Sequence, residues 1–283
     1  VGGNGGMLHA FHATDANGGE EVFAYVPNLV VGNLRELADP AYRHKYYVDL
    51  TPDTHTIGDL TLLVGGLGKG GKGYYCLDVT DAKTAIQSES DLASRVKWEY
   101  PPPPKELLSG ATLSFSSGAG TDGNDVVADS LKRFTAANGF VVGKIIAVVG
   151  AYFNDGITSG TNDGLYKITK VDPGGAFIET PAGSLATGCG NGKNVAITES
   201  TSDPGLGYSF SKAYLIETNA PVGINGWVVV FGNGYGSEDG TASLYVLNPA
   251  NGQMLKKIDV KVGPLNGLST PNAVDVNNDL KAD

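Results

Sequence analysis

The sequence predicts an all-β fold, a partial β-propeller into which one small β module is inserted. The composition is rich in residues that form turns, with 41 Gly and 14 Pro, and only 18% of the residues are charged. This profile is typical of turn-rich β proteins and not of helical enzymes. A pattern of paired apolar strands recurs along the chain, and residues 121–200 interrupt its spacing. The repetition and its interruption together indicate propeller blades with an insertion.

Each copy of the pattern consists of an apolar strand, a glycine turn, a second apolar strand and a polar turn. The copies cover residues 1–26, 62–100 and 227–260. Their Gly-Gly and Asn-Gly pairs supply the positive φ angles that tight turns need. A sheet of this size cannot bury its faces alone, so we expect the copies to pack radially as blades. A set of unrelated hairpins in a β-sandwich is the alternative.

Alternation along the strands predicts how the apolar side chains divide between the two faces. Successive side chains of a strand point to opposite faces of its sheet. We therefore expect Tyr75 and Leu77, like Leu8 and Ala10 in the first copy, to be sheet-packing residues. Tyr74 and Cys76, like Met7 and Phe11, are expected to face the neighbouring blade. The aromatic stripe is thus interpreted as core and not as a cofactor site.

The interrupting segment is predicted to be a separate module. Three strands are expected inside it, at residues 140–149, 164–171 and 176–180, with Asn-Asp-Gly and Pro-Gly-Gly turns between them. Insertion at a surface loop costs little closure entropy. The predicted organisation is a first part of the propeller at residues 1–120, an inserted β-barrel-like module at 121–200, and a propeller blade with a C-terminal loop at 201–283.

Helix is expected to be scarce. Residues 33–38 are expected to form a short turn before Pro40, and residues 84–96 to form one surface helix.

Charge and composition exclude two classes of partner. The formal net charge is −10, and no Lys/Arg cluster is present that could neutralise phosphates, so nucleic-acid binding is not expected. No apolar run reaches the ~18 residues of a membrane span, so no transmembrane segment is expected. The two cysteines, Cys76 and Cys189, do not make a disulfide framework. Cys76 is expected to be a buried thiol, and Cys189 lies in a Gly-rich loop.

The C-terminal residues 275–283 have the spacing of a calcium loop. Oxygen-bearing side chains stand at loop positions 1, 3, 5 and 9, and the carbonyl of position 7 can join them. The expected ligands of Ca²⁺ are Asp275, Asn277, Asp279, the carbonyl of Lys281, and Asp283. Ca²⁺ prefers six to eight oxygen ligands, and carboxylates packed together without a cation would repel one another. A solvated acidic turn is the alternative interpretation.

This loop departs from the EF-hand pattern at two positions. The pattern has Gly at position 6, where this chain has Leu280, and Glu at position 12, beyond the last residue of the chain. The prediction is therefore a shortened relative of the EF-hand without its second helix.

Other candidate metal ligands are not expected to form a site. His9 and His12 lie three residues apart on one strand, face opposite sides and cannot chelate together. The acidic cluster from Asp122 to Asp129 misses the calcium spacing by one residue, so we interpret it as a capped turn. No catalytic residue is identified.

Several motifs of the sequence form a set: VGGNGGMLHAF (1–11), FAYVP (23–27), NLRELADP (33–40), LVGGLGKGG (63–71), GYYCLDVT (73–80), VFGNGY (230–235) and TPNAVD (270–275). Together they resemble the C-terminal propeller of the PilC/PilY family of type IV pilus tip adhesins. These independent motifs occur in the order of the family and lie outside the interrupting segment. The family's calcium loop maps onto the residues already named between Asp275 and Asp283.

The resemblance implies a calcium-binding protein that is secreted or held at the cell surface, at the pilus tip. Such a protein supports pilus biogenesis, adhesion and twitching motility. The implied partners are the minor pilins of the type IV pilus tip and a host-surface or matrix receptor. Because the N-terminal half of the family and its closing blades have no counterpart here, we expect the chain to be a piece of a longer protein.

Two other functions are alternatives to an adhesin. The blade pattern is also similar to that of quinoprotein dehydrogenases, but the sequence has no adjacent cysteine pair, and His12 stands where those blades usually carry Asp. We therefore expect a protein that is not an enzyme. A purely structural platform for pilus assembly, without receptor binding, is the other alternative.

Overall fold

The computed structural model describes residues 1–14, 17–103, 106–110, 112–149, 151–154, 159–162, 164–185, 195–199, 203–260 and 264–282. Within them the fold is β-sheet with a few short helices, so the all-β prediction is confirmed. The strands are, in chain order, β1 (Leu8–Phe11), β2 (Glu21–Tyr25), β3 (Asp53–Ile57), β4 (Leu60–Gly66), β5 (Tyr74–Asp78), β6 (Val96–Tyr100), β7 (Glu106–Ser109), β8 (Leu113–Ser116), β9 (Asp125–Asp129), β10 (Ile145–Val149), β11 (Tyr152–Asn154), β12 (Ser159–Thr161), β13 (Gly164–Lys167), β14 (Lys170–Val171), β15 (Phe177–Thr180), β16 (Ala196–Glu199), β17 (Tyr214–Glu217), β18 (Trp227–Gly232), β19 (Ala242–Leu247) and β20 (Met254–Val260). The α-helices are α1 (Asn28–Leu34), α2 (Ala82–Ala85) and α3 (Glu89–Ser94), and short 3-10 turns span Arg35–Ala38, Thr121–Gly123 and Ala136–Asn138.

Residues 1–103 and 202–283 form one compact unit. It contains the hairpin β1–β2 and two four-stranded antiparallel sheets, ordered β3-β4-β5-β6 and β17-β18-β19-β20. In each four-stranded sheet every strand pairs with the next strand of the chain, which is the up-and-down order of a propeller blade. The repeated sequence pattern covers three strands of each sheet. The fourth strand, β3 or β17, lies outside the pattern.

The two four-stranded sheets share one apolar core. Tyr74 stacks on Phe231 with ring centroids 3.9 Å apart, and Phe231 stacks on Tyr245 at 5.3 Å. Cys76 lies fully buried in the same cluster, and burial raises the pKa of its thiol. Tyr75 and Leu77, from the alternate positions of β5, lie in the cluster that contains β1, β2 and α1 residues. The predicted division is therefore confirmed for β5, since its alternate side chains lie in two different core clusters. In β1 it is wrong for Phe11, which was expected to face the neighbouring blade and is 47% exposed.

The helices differ from the sequence prediction. The helical turn predicted at residues 33–38 is the end of a longer element, because α1 begins at Asn28 and the 3-10 turn follows it. The carboxylate of Glu99 explains this start, since Oε1 accepts a 2.7 Å bond from the backbone N–H of Asn28. The single helix predicted at residues 84–96 is wrong. Two short helices, α2 and α3, lie there instead, because Ile86 between them is extended, with φ −111° and ψ 98°. The second helix, α3, begins only after Ser88, whose side chain caps it.

The glycine-rich loop after β4 is explained by close packing of the backbone. A Cβ on Gly70 would lie 1.8 Å from the carbonyl oxygen of Tyr47. The same loop is joined to the segment before β17, because the backbone N–H of Gly73 donates a 2.7 Å hydrogen bond to Oγ of the fully buried Ser209. The glycines of this motif therefore serve the packing of the propeller unit.

Residues 104–201 form a second compact unit with its own apolar core. Its sheets have the orders β13-β10-β16-β7 and β14-β15-β9-β8, and β11 pairs with β12. The unit begins at residue 104 and not at the predicted residue 121, because β7 pairs with β16 and β8 with β9. Residues 106–116, which the sequence analysis assigned to the first part of the propeller, thus belong to this unit.

Helices of the described ranges are short or polar, and none could serve as a membrane-crossing segment. Cys189, expected in a Gly-rich loop, lies outside the described residues.

Candidate metal site in the C-terminal loop

The predicted calcium loop is described over residues 275–282 and is built around the carboxylate of Asp275. Its Oδ1 accepts hydrogen bonds from the backbone N–H groups of Asn278, at 2.6 Å, and Asp279, at 3.2 Å. Its Oδ2 accepts a third bond, at 2.8 Å, from the N–H of Leu280. The half-buried side chain at loop position 1 therefore folds the following five residues around itself.

Two further side chains of the loop repeat this local bonding. Oδ1 of Asn277 accepts a 3.0 Å bond from the N–H of Asp279, and Oδ1 of Asp279 accepts a 3.0 Å bond from the N–H of Lys281. Asn and Asp are favoured in such turns because their short side chains reach the backbone two residues further on. The side chains at positions 1, 3 and 5 thus lie on successive turns of one loop.

Leu280 takes the backbone conformation that glycine has in the EF-hand pattern. Its φ is +69°, in the left-handed region, and that of Asn278 is +64°. A left-handed conformation of a residue with a Cβ costs about 1–2 kcal/mol. The absence of Gly at position 6 therefore does not prevent the tight turn, although it adds strain to the loop.

The loop is anchored to the end of β17. The side-chain amide of Asn219 donates a 2.9 Å bond to Oδ2 of Asp279. Nζ of Lys281 lies 3.1 Å from Oε1 of Glu217, and the N–H of Ala282 donates a 2.7 Å bond to the carbonyl of Glu217. The bond from Asn219 is the main cause that holds the pKa of Asp279 below its usual range. Asp279 is therefore kept as an anion in a defined orientation.

The donor chemistry of this loop fits Ca²⁺. Its described candidates, Asp275, Asn277, Asp279 and the carbonyl of Lys281, offer oxygen atoms alone, which is what a hard cation prefers. Asp283, the fifth expected ligand, lies outside the described residues. Within the described ranges no group of three His, Cys, Asp or Glu side chains is close enough to hold a metal ion. The carboxylates of Asp275 and Asp279 therefore need the other oxygen donors to complete a site.

Sequence reasoning missed Asn219 and Glu217. They lie 60 or more positions before the loop residues that they bind, and they carry no motif. The pairing appears only because Thr218 and Ala282 form a parallel β-bridge.

An apolar cleft of about 730 Å³ lies beside the calcium loop. Its floor is one face of the β17–β19 sheet, and its other wall comes from residues 271–274 together with Val276 and Ala282 of the loop. The loop thus contributes to the wall of the cleft as well as to the candidate metal site.

Three of the other candidate ligands, His9, Asp125 and Asp129, have structural partners. Nδ1 of His9 lies 2.5 Å from Oε1 of Glu21. Asp125 is fully buried and accepts hydrogen bonds from Ser117, Gly118, Ser184 and Leu185. Asp129 forms an ion pair with Arg133, at 2.8 Å. The two buried carboxylates of the acidic cluster in the second unit are therefore occupied by bonds within the protein.

Comparison with known proteins relates the chain to pilus proteins. Residues 1–99 match the family model of the PilY1 beta-propeller domain. A "Type IV pilus biogenesis factor PilY1 homolog" of Xylella fastidiosa strain Temecula1 is 53% identical over 87 residues, which are 29% of this chain and 7% of that protein. The "Type IV pilus biogenesis factor PilY1" of Pseudomonas aeruginosa strain UCBPP-PA14 is 26% identical over 292 residues, which cover 100% of this chain and 15% of that protein.

A search of solved structures found the crystal structure of the Pseudomonas aeruginosa PilY1 C-terminal domain, with 23% identity and a TM-score of 0.49 over 100% of this chain and 35% of that chain. The chain spans 7% and 15% of the length of the two curated relatives described above. The family match and the two blade-like sheets confirm the β-propeller prediction. Residues 1–99 therefore match the PilY1 β-propeller domain model, and the chain as a whole is similar in sequence to PilY1 proteins.

Proposed function

We propose that this chain is the calcium-binding propeller part of a surface-exposed type IV pilus biogenesis factor. The observation that carries the proposal is its relation to PilY1, which covers 100% of the chain in one relative. The relatives are named as type IV pilus biogenesis factors, and these names assign no enzymatic reaction to them. We accordingly propose a role in binding and assembly, and not in catalysis.

The proposed cofactor is Ca²⁺, held by Asp275, Asn277, Asp279, the carbonyl of Lys281, and Asp283. The support is the oxygen-only donor set and the turns that present three of these side chains in succession. When bound, the cation supplies positive charge that removes the repulsion between the carboxylates of the loop. The chain's own part is to orient Asp279 through Asn219 and to keep it ionised.

The proposed location is the tip of the pilus at the cell surface, with minor pilins as assembly partners and a host-surface or matrix receptor as an adhesion partner. The second unit, residues 104–201, is the proposed contact region for the receptor. Its exposed apolar side chains support this role, since Leu131 is 61% and Val142 is 65% exposed. Loops and modules added to a rigid scaffold commonly carry recognition.

The proposal is tested in the bacterium that encodes the chain. Deletion of the gene is expected to reduce surface pili and twitching motility. Asp279→Ala is expected to leave the protein present but to change motility, because it removes one charge and one ligand from the proposed site. Glu238→Ala is the control, since Glu238 is an exposed carboxylate elsewhere in the same unit. Normal pili and motility after gene deletion would contradict the proposed function.

A further inference from the structure

A pocket of about 780 Å³ in the propeller unit lies along β6. Four successive residues of this strand, 97–100, line it. Because successive side chains of a strand point to opposite faces of the sheet, a pocket lined by all four runs along the edge of the strand. β6 is the last strand of its sheet, and among the described residues only β5 pairs with it. The pocket is therefore a groove at a sheet edge, named here the β6 groove.

The two walls of the β6 groove come from distant parts of the chain. One wall is the segment where β2 leads into α1, which bonds to Glu99. The other is the turn before β20, which packs on Trp98, since a Cβ on Gly252 would lie 2.7 Å from its Cγ. Apolar side chains from both walls and from the strand line the groove: Val26, Val96, Pro102, Pro103 and Met254. The groove therefore favours a ligand with an apolar portion.

Glu99 places a buried carboxylate in this apolar setting, with only 6% of the residue exposed. Its Oε1 accepts hydrogen bonds from the hydroxyl of Tyr25, at 2.5 Å, and from the backbone N–H of Asn28, at 2.7 Å. Its Oε2 is enclosed and has no hydrogen-bond partner among the described residues. Lys97 does not neutralise it, because Nζ of Lys97 lies 3.7 Å from Oδ2 of Asp78. Half of the carboxylate is thus left for a donor from outside the chain.

The chemistry of Glu99 and of the lining together select an Arg side chain as the ligand. A buried carboxylate is costly unless a cation and hydrogen-bond donors balance it. Arg and Lys both carry a charged head on an aliphatic stem that can pack on apolar walls. The guanidinium of Arg is more weakly hydrated than an ammonium group and donates several N–H groups in a plane, so it suits an enclosed carboxylate better.

The edge of β6 suits the main chain of an extended peptide. A strand at a sheet edge presents backbone N–H and C=O groups that can pair with an added strand. In such complexes the main-chain bonds supply affinity, and pockets for alternate side chains supply specificity. The formal net charge of −10 also favours a basic partner segment.

We propose that the β6 groove binds an extended segment of a partner protein, which lies along β6 and places an Arg side chain against Glu99. The guanidinium donates to Oε2 of Glu99, and the stem packs on the apolar lining. Because Oε2 is enclosed, the lining has to shift as the guanidinium approaches, and the groove carries two exposed, flexible side chains, Gln253 and Met254. This site is independent of the calcium loop and adds a partner-binding surface to the propeller unit.

The test uses the full chain and three probes. The first is a capped seven-residue peptide of alternating Thr and Val with Arg at its centre. The second has citrulline at the centre, which is neutral and has the shape of Arg. The third is N-acetylarginine methylamide, which has the side chain without the extended main chain. In calorimetry the Arg peptide is expected to bind about tenfold more tightly than either of the other two.

Hydrogen exchange locates the bound peptide. Exchange of the backbone N–H groups is expected to slow in residues 97–100 when the Arg peptide is present, because an added strand accepts hydrogen bonds from this edge. Exchange is expected to stay unchanged in β18, a central strand that already pairs on both sides.

Two variants with matched controls test the role of charge. Glu99→Gln keeps the shape and an oxygen acceptor and is expected to remove the preference for Arg over citrulline. Glu238→Gln, at an exposed position outside the groove, is its control and is expected to keep that preference. Gln253→Lys adds a competing cation at the exposed wall and is expected to weaken the Arg peptide about tenfold. Its control is Gln87→Lys, at another exposed Gln outside the groove.

The Lys variant keeps the test decisive if Glu99→Gln fails to fold, because Gln253 is exposed. Tighter binding of the Arg peptide, lost in Glu99→Gln and weakened in Gln253→Lys alone of the two Lys variants, would support the proposal. Equal affinity for the Arg and citrulline peptides would overturn the role of Glu99. Equal affinity for N-acetylarginine methylamide, or unchanged exchange in residues 97–100, would overturn strand addition at β6. Absence of binding at about 1 mM Arg peptide would overturn the site as a whole.

Discussion

The side-chain amide of Asn219 donates a 2.9 Å hydrogen bond to Oδ2 of Asp279, across 60 positions of the chain. This bond joins the end of β17, the first strand of a four-stranded sheet, to a loop that the sequence predicts to bind calcium. Because the bond favours the ionised carboxylate, it lowers the pKa of Asp279. The predictions below begin with this loop and continue to the glycine motif and the second unit.

The first prediction concerns the calcium ligands. Asp279→Ala should abolish calcium binding, because it removes both a charge and an oxygen donor, whereas Asp275→Asn should weaken it, because one oxygen donor remains. We expect a Kd on the order of 10⁻⁵–10⁻⁴ M for the unchanged protein, between sensor sites and extracellular modules. Mg²⁺ should compete poorly, since it requires short octahedral contacts and sheds water reluctantly. Calorimetric titration measures all four cases, and equal heats from the unchanged protein and Asp279→Ala would show that the site lies elsewhere.

The second prediction concerns the pH dependence of the second unit. Nζ of Lys170 lies 2.9 Å from Oε1 of Glu179, whose side chain is 2% exposed. The hydrogen bond from Lys170 is the main cause that lowers the pKa of Glu179 from its ordinary 4.5 to about 2. Because the pKa is depressed in the folded state, the carboxylate stabilises the unit above its unfolded pKa, and this contribution is lost as the pH falls towards 2.

Glu179→Gln should therefore lower the thermal midpoint at neutral pH and flatten its decline in acid. Glu106→Gln, at an exposed position of the same unit, is the control and should change neither. Circular dichroism melts between about pH 6 and pH 2.5 cover the window. A Glu179→Gln protein whose midpoint falls with pH as steeply as that of the unchanged protein would contradict the assignment.

The third prediction compares two glycines of the propeller unit. Gly70→Ala should destabilise the fold by about 1–3 kcal/mol, because the new Cβ would overlap the backbone of Tyr47 and force it to shift. Gly32→Ala, inside α1 and with open space around the position, should instead stabilise it by about 0.5–1 kcal/mol. Urea denaturation gives both values. Equal effects of the two substitutions would mean that backbone approach does not explain the glycine motif.

The fourth prediction is that the second unit can be removed. Replacement of residues 104–201 by a flexible Gly/Ser linker should leave the propeller unit folded, because the two units have separate core clusters. Far-ultraviolet circular dichroism would report the remaining strands. Near-ultraviolet circular dichroism would report the packing of Tyr74 against Phe231. Aggregation or loss of that signal would show that the propeller unit depends on the insertion.

A large part of this protein could be predicted from short stretches of sequence. The apolar run of β18, Trp227–Gly232, is nearly continuous, and its strand is central and buried on both faces. Alternation in β5 separated Tyr74 and Cys76 from Tyr75 and Leu77, and the core clusters follow that division. Asp and Asn at alternate positions between Asp275 and Asp279 predicted a loop with these side chains on successive turns. Each of these features depends on neighbours a few positions away, which is where side-chain periodicity and turn chemistry act.

Other features arose from contacts between distant segments. Residues 106–116 joined the second unit because β7 and β8 found partners in β16 and β9, and no local pattern distinguishes them from blade strands. The helix predicted at residues 84–96 is interrupted at Ile86, which is buried in the core cluster. Asn219 lies beside Asp279 because the bridge between Thr218 and Ala282 joins these two segments. Such pairings are stabilised by the burial of apolar surface and by hydrogen bonds to buried polar groups in the folded chain. The free energy of both depends on neighbours in three dimensions, which sequence spacing does not identify.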